Sequence, residues 1–159
     1  MTIKVGDRIP EATLAVMEDG APKEVSTAEM FGGKRVALFA VPGAFTPTCS
    51  QAHLPGFVAN ADKLKEKGVD SIVCLSVNDV FVMDAWGQAQ NADALVMAAD
   101  GSAAFTDAAG MVFDLTARGL GVRSQRYSML VNDGVVEALN LDEPGKFEVS
   151  GAEQILEGL

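Results

Sequence analysis

The run Arg35-Val36-Ala37-Leu38-Phe39-Ala40-Val41 is apolar without alternation and stops at Pro42. A strand reads this way when both of its faces are covered, so the chain must build layers on both sides of a sheet. The residues behind it then form a strand-to-helix turn, with Cys49 in the first helical turn. A thiol there meets backbone N–H groups without intrahelical partners and the positive end of the helix dipole. Both favour the thiolate, the form in which cysteine is a nucleophile. On position alone the alternative is a small buried hydrophobe.

Ser71 to Val77 repeats the continuous apolar pattern and gives a second strand covered on both faces. The segment Pro47 to Lys67 between the two reads as a crossover helix, and Pro55 inside it predicts a kink or break near Leu54. Asp79 through Gln90 reads as another helix, capped by Asn78 or Asp79, followed by a short strand at Leu95 to Ala99 and a short helix at Ala103 to Ala108. Arg126 to Val131 and Val135 to Asn140 flank Asn132-Asp133-Gly134, a turn that tolerates positive φ, and predict an antiparallel hairpin. Ser150-Gly151-Ala152-Glu153 reads as a capping box opening a C-terminal helix. Strands alternating with helices place the chain in the α/β class, with one domain over residues 1–159.

The formal net charge of -10, with 12 basic against 22 acidic side chains, argues against a nucleic-acid partner, because neutralising phosphates takes clustered Lys and Arg. The segment Met1 to Asp7 lacks a positive stretch followed by an apolar core, and no apolar run approaches the about 20 residues that span a bilayer, so neither a secretory signal nor a membrane partner is expected. Two cysteines in a chain of this size suit a reducing compartment, and a cytoplasmic location is the expectation. One histidine and two separated cysteines supply no metal-ligand spacing, and no glycine-rich phosphate loop follows a strand. Neither a metal nor a nucleotide cofactor is expected.

The wider string Val41-Pro42-Gly43-Ala44-Phe45-Thr46-Pro47-Thr48-Cys49-Ser50-Gln51-Ala52-His53-Leu54-Pro55-Gly56-Phe57 resembles the active-site loop of the peroxiredoxins, and more narrowly the subfamily containing mammalian peroxiredoxin 5 and the plant type II peroxiredoxins. The family's Pro-x-x-x-Thr-x-x-Cys signature falls on Pro42, Thr46 and Cys49. Further matches lie at Cys74-Leu75-Ser76-Val77-Asn78-Asp79, Trp86-Gly87, Asp100-Gly101-Ser102, Gly119 to Ser128 and Ala138-Leu139-Asn140, so the likeness runs from about Val5 to the C-terminus. It implies a thioredoxin-like fold with a central mixed sheet flanked by helices, and a thiol peroxidase acting on hydrogen peroxide and small alkyl hydroperoxides. A homodimer formed near the active-site loop is also implied.

Under that resemblance Cys49 is the nucleophile, and Arg126, rather than Arg123, is the cation that holds thiolate and peroxide oxygens in its planar fork. Arg123 would orient Arg126, or an acidic neighbour at a dimer contact. Thr46 has two readings: a hydroxyl bonded to thiolate and peroxide, or a helix N-cap near Cys49. Pro42 contributes shape, shielding the thiol from water and overoxidation. Phe45 and Leu120 would line an apolar route for substrate, although Phe45 equally suits a subunit contact.

His53, four residues after Cys49, would share its helix face and could tune the thiolate. A hydrolase-type Cys–His pair is disfavoured, since helical i, i+4 spacing is not how such pairs are built and no orienting Asn or Asp motif is evident. Trp86 reads as a packing or interface residue. Cys74 sits mid-strand among apolar neighbours and reads as structural, poorly placed to bridge Cys49.

One departure from mammalian peroxiredoxin 5 is decisive for the cycle. That relative has a resolving cysteine in its C-terminal loop, where this chain reads Pro144-Gly145-Lys146-Phe147-Glu148-Val149-Ser150. A one-cysteine cycle follows, in which an external thiol reduces a sulfenic acid; the family analogy favours glutathione with glutaredoxin, then thioredoxin. Two competing readings use the same thiol: a peroxide sensor oxidised stoichiometrically, and a glutathione-dependent thiol–disulfide exchanger, which the lack of a Cys-x-x-Cys pair weakens.

Overall fold

Along Arg35–Val41 the side chains alternate between two cores. Ala37, Phe39 and Val41 enter one, with Cys49, Leu54, Phe57, Cys74 and Trp86, while Val36, Leu38 and Ala40 enter the other, with Val73, Leu75, Tyr127 and Met129. Every residue from Val36 to Val41 is fully buried, as the unbroken apolar run requires. The computed structural model describes residues 2–159.

The strands are β1 (Thr13–Glu18), β2 (Ala21–Ser26), β3 (Arg35–Val41), β4 (Ser71–Ser76), β5 (Val96–Ala99), β6 (Val112–Leu115), β7 (Gly121–Ser124), β8 (Tyr127–Asn132) and β9 (Val135–Leu141). The helices are α1 (Thr27–Phe31), α2 (Leu54–Ala59), α3 (Ala61–Glu66), α4 (Val80–Ala89), α5 (Ala104–Ala108) and α6 (Ala152–Glu157). Seven strands form one sheet in the order β2-β1-β5-β4-β3-β8-β9, while β6 and β7 form a separate ribbon. Strands β3, β4 and β5 pair in parallel, and β1, β2, β8 and β9 extend the sheet antiparallel on either side. This is the thioredoxin-like mixed sheet flanked by helices that the resemblance implied.

The crossover differs from a single helix over Pro47 to Lys67. A π-helical turn, Cys49–His53, precedes α2, and the Leu54 N–H reaches the Cys49 carbonyl five residues back. Pro55 has no N–H to donate, and its ring would meet the carbonyl four residues earlier; the wider π turn relieves that clash just ahead of it. The break comes later than expected, at Asn60, where φ is -103° and ψ 7° between α2 and α3. The capping box at Ser150 is also not formed. Gly151 occupies the cap of α6 without a side-chain bond, and the Ser150 hydroxyl donates to Asp142 instead.

The N-terminal hairpin β1–β2 turns at Asp19-Gly20, both at positive φ. Its β2 strand is mostly exposed and contains Pro22, so it carries no apolar alternation from which a strand could be read.

Phe39 stacks on Phe57 with ring centroids 4.0 Å apart and planes 5° from parallel, and its ring lies 4.9 Å from that of His53. Phe39 is thus both core and floor for the histidine. Phe39→Ala is expected to lower the unfolding free energy by about 3–5 kcal/mol in urea titration, the usual cost of removing a buried phenylalanine.

Candidate active site

Cys49 lies in the first π turn, fully buried, beneath the loop that leaves β3. That loop is braced from two sides. The Ala44 N–H donates to Asn78 Oδ1 at 3.0 Å, and the Ser76 hydroxyl, at the end of β4, lies 2.6 Å from the same oxygen. On the other side Arg123 donates from Nε to the Leu120 carbonyl at 2.8 Å and from Nη1 toward the Pro42 carbonyl at 3.5 Å. Within the described residues the partners of Arg123 are thus backbone carbonyls and not Arg126, and it ties the β7 segment to the loop. A methyl group on Gly43 would lie 3.0 Å from Arg123 Nη1 and 3.1 Å from Thr46 Cγ2, so glycine is what lets this brace close.

Thr46 stands immediately before the helical residues Pro47 and Thr48. Its hydroxyl donates back to the Gly43 carbonyl at 2.6 Å and does not act as the helix cap. With the hydrogen so committed, its oxygen presents lone pairs, which suits a partner that donates an O–H.

Arg126 immediately precedes β8, which runs antiparallel to β3 with Tyr127 opposite Ala40. The register brings it to the C-terminal end of β3, where the active-site loop begins. Its guanidinium forks: Nη2 lies 3.0 Å from Cys49 Sγ, and Nη1 donates to His53 Nδ1 at 2.8 Å. A guanidinium at this distance stabilises negative charge on sulfur, and its second edge is fixed by a neutral acceptor. Residues 77 apart in sequence thereby share one hydrogen bond.

His53 is linked to Cys49 through the arginine, which bonds both side chains. It is fully buried, with Phe147 against it at 4.7 Å between ring centroids, and its Nε2 lies 2.8 Å from the Ser150 carbonyl. Burial, reinforced by the Arg126 charge, pushes its pKa down to about 3, although the Ser150 carbonyl and Asp142 oppose the shift. A neutral ring is what this position requires, because an imidazolium would face the guanidinium with a second positive charge. Asp142 is held below the usual carboxylate range: burial would raise it, but hydrogen bonds from the Ser150 hydroxyl and the Glu148, Val149 and Ser150 N–H groups prevail.

A cleft of about 410 Å³ opens beside these groups, lined in part by Pro42, Thr48, Phe113, Arg126, Lys146 and Phe147. Phe45 and Leu120 are not among its walls. Both are exposed, at 55% and 42%, and Phe45 adopts a φ of 63° with its ring 6.4 Å from that of Trp86. Trp86 is fully buried and its indole N–H donates to the Ser50 hydroxyl at 3.0 Å, so it tethers the turn that carries Cys49. Cys74 faces the same core from β4, opposite Phe39, and burial pushes its thiol well above the ordinary range, with the nearby Cys49 charge adding to the effect. The roles of Asn78, Ser76, Ser150 and Asp142 escaped sequence reasoning; only the fixed strand ends around the loop could have suggested the first two.

Comparison with known proteins shows the family to which the chain belongs. Residues 4–156 match the Redoxin family. The chain is 52% identical to Peroxiredoxin-2E-2, chloroplastic, of rice (Oryza sativa subsp. japonica), over 99% of this chain and 73% of that protein. It superposes on the reduced Prx3 of Vibrio vulnificus in complex with hydrogen peroxide with a TM-score of 0.96 at 53% identity, covering 99% of each chain. Peroxiredoxin 5 from Alvinella pompejana aligns with a TM-score of 0.86 at 34% identity, over 98% of this chain and 96% of that one. The chain belongs to the Redoxin family and, within it, to the peroxiredoxins, which are thiol peroxidases. Its place is in the group that holds the plant type II enzymes and peroxiredoxin 5.

Because His53 is the chain's single histidine, its protonation can be read from stability. Between its ordinary pKa of 6.5 and the folded value near 3, the unfolded chain binds one proton that the folded chain does not. Stability from this group is therefore present above pH 6.5 and lost as pH falls. Unfolding free energies measured by urea titration from pH 6 to pH 5, above most carboxylate titration, should drop by about 1.4 kcal/mol per pH unit as the limiting slope. A flat profile would mean that the folded ring protonates normally.

Proposed function

We propose that this peroxiredoxin reduces hydrogen peroxide and small alkyl hydroperoxides through Cys49 in a one-cysteine cycle. The observation that carries the reading is the Arg126 Nη2 to Cys49 Sγ distance of 3.0 Å, at a buried sulfur beside a cleft that Pro42 and Arg126 line. The thiolate attacks one peroxide oxygen; an S–O bond forms, the O–O bond breaks, and the leaving oxygen takes a proton to depart as water or alcohol. Arg126 stabilises the charge developing on that oxygen. The Thr46 oxygen accepts from the peroxide O–H, and Pro42 walls the site against water.

The product is a Cys49 sulfenic acid. An external thiol then attacks its sulfur, expelling water and leaving a mixed disulfide, and a second thiol releases Cys49 as it forms its own disulfide. Glutathione with glutaredoxin is the proposed reductant, with thioredoxin the second choice. Support for an external thiol comes from Cys74, the other cysteine, which is fully buried in the sheet with its thiol held neutral. Because Cys49 is itself buried, the π turn has to open before a bulky thiol reaches the sulfur.

A homodimer is proposed around the active-site loop, where exposed Phe45, Phe81, Leu120 and Val122 lie on segments joined by the Arg123 and Asn78 bonds. The proposed setting is a reducing compartment, the cytoplasm, since both cysteines are free thiols.

The test is consumption of hydrogen peroxide at catalytic protein concentration with an excess of a small dithiol. Wild type and Cys74→Ser should turn over many times, and Cys49→Ser not at all. If wild type stopped after one equivalent, the chain would act as a stoichiometric sensor; loss of turnover in a folded Cys74→Ser variant would end the one-cysteine reading.

A further inference from the structure

Arg126 is held by a closed ring of hydrogen bonds that begins and ends on itself. The Asp142 N–H donates to the Arg126 carbonyl at 3.0 Å. The Asp142 carboxylate, 3% exposed, gathers the returning loop: Oδ1 accepts from the Glu148 N–H at 2.8 Å and the Val149 N–H at 2.9 Å, and Oδ2 accepts from the Ser150 N–H at 3.2 Å and the Ser150 hydroxyl. The Ser150 carbonyl, fixed by that grip, meets His53 Nε2 at 2.8 Å, and His53 Nδ1 meets Arg126 Nη1 at 2.8 Å.

The direction of each bond is dictated by chemistry. A carbonyl oxygen can only accept, so Nε2 carries the imidazole hydrogen. Nδ1 is then a bare lone pair aimed at a guanidinium N–H. The other tautomer would set N–H against N–H and leave a buried carbonyl unpaired, a double penalty between two fully buried residues. Phe39, Phe57 and Phe147 surround the ring at 4.9, 5.7 and 4.7 Å between centroids, so it has no room to flip. Phe147 also lies under the guanidinium, 5.7 Å from Cζ to ring centroid.

We infer that His53, Asp142 and Ser150 are positioning residues for peroxide reduction: they lock the outer edge of the Arg126 guanidinium so that its inner edge stays on the Cys49 sulfur and the oxygen it attacks. A long arginine side chain left free would lose that alignment to rotamer entropy. The inference rests on the peroxidase reading above and extends the site to a loop about twenty residues beyond Arg126 in sequence.

The test is the single-turnover rate of Cys49 oxidation by hydrogen peroxide, with alkylation by iodoacetamide measured in parallel. Wild type, Arg126→Ala, His53→Leu, His53→Asn, Asp142→Asn and the His53→Leu/Arg126→Ala double variant are compared. His53→Leu should slow oxidation by about 10–100-fold, the effect of losing a hydrogen bond to a charged group, and should alter alkylation far less. His53→Asn, which keeps an acceptor near the Nδ1 position, should recover most of the loss, and Asp142→Asn should fall on the slow side of wild type. In the Arg126→Ala background, His53→Leu should change the rate by no more than about 2-fold, because a residue acting only through Arg126 has nothing left to act on.

Independent, additive losses, or a His53→Asn variant no faster than His53→Leu, would reduce His53 to a packing residue and overturn the inference. Wild-type rates retained by Asp142→Asn would overturn the part assigned to the loop. Should His53→Leu not fold, imidazole nitrogen NMR on wild type serves instead: hydrogen on Nε2 at neutral pH is expected, and hydrogen on Nδ1 overturns the ring. A wild-type protein inert to peroxide would sink the peroxidase reading along with this one. A reactive wild type with a slow Arg126→Ala and a fast His53→Leu would sink only this one.

Discussion

The Arg126 guanidinium, with one edge on the Cys49 sulfur and the other on His53, is the interaction around which the rest of the site is arranged. It sets a demanding condition. A permanent positive charge on a partly buried side chain needs partners, and here they include a thiol that can carry negative charge, a neutral imidazole and an aromatic face. The histidine must stay unprotonated to fill its place, which its burial and the nearby charge ensure. In the proposed mechanism reactivity is therefore arranged by a group far from Cys49 in sequence, and the position of Cys49 at a helix start is only half of the design.

The sheet delivers both halves to one point. Strand β3 ends at Val41 and hands the chain to the loop, while β8, antiparallel beside it, begins at Tyr127 opposite Ala40. Arg126 consequently emerges beside Pro42 without any long excursion of backbone. The parallel partner β4 contributes Ser76 and, just beyond its end, Asn78, which pin the loop from below. The same alternation that splits β3 between two cores puts Phe39 under His53. Packing and the candidate active site thus use the same strand ends, as is common where α/β sheets present functional groups beyond the carboxyl ends of their parallel strands.

The central strands, α4 with its Asp79 cap, and the Asn132-Asp133-Gly134 hairpin were legible because continuous apolar runs and turn chemistry are local signals. The Asp19-Gly20 hairpin was missed because its second strand is exposed and interrupted by Pro22, which hides the period of two. Pro55 did announce an irregular helix, yet a π turn and a chain break leave the same trace in sequence, and only the backbone distinguishes them. At the site, Cys49 was readable from its place behind β3. Arg126 came from resemblance alone, since nothing local joins residues 77 apart. His53 was noticed for its spacing from Cys49 but bonds to the arginine; Ser150 reads in sequence only as a helix cap, and Asp142 gave no sign, because carboxylates in loops are ordinary.

The arginine acts either as a two-pronged fork or merely as a nearby charge. Arg126→Lys separates the two, because lysine keeps the charge but offers a single point that cannot bond the Cys49 sulfur and His53 Nδ1 together in the same plane. The measurement is the second-order rate of Cys49 oxidation by hydrogen peroxide in this variant beside wild type. A loss of about 10-fold or more, with the charge intact, is predicted from forfeiting the charge-assisted hydrogen-bond geometry. A lysine variant as fast as wild type would contradict it and leave charge alone as the source of reactivity.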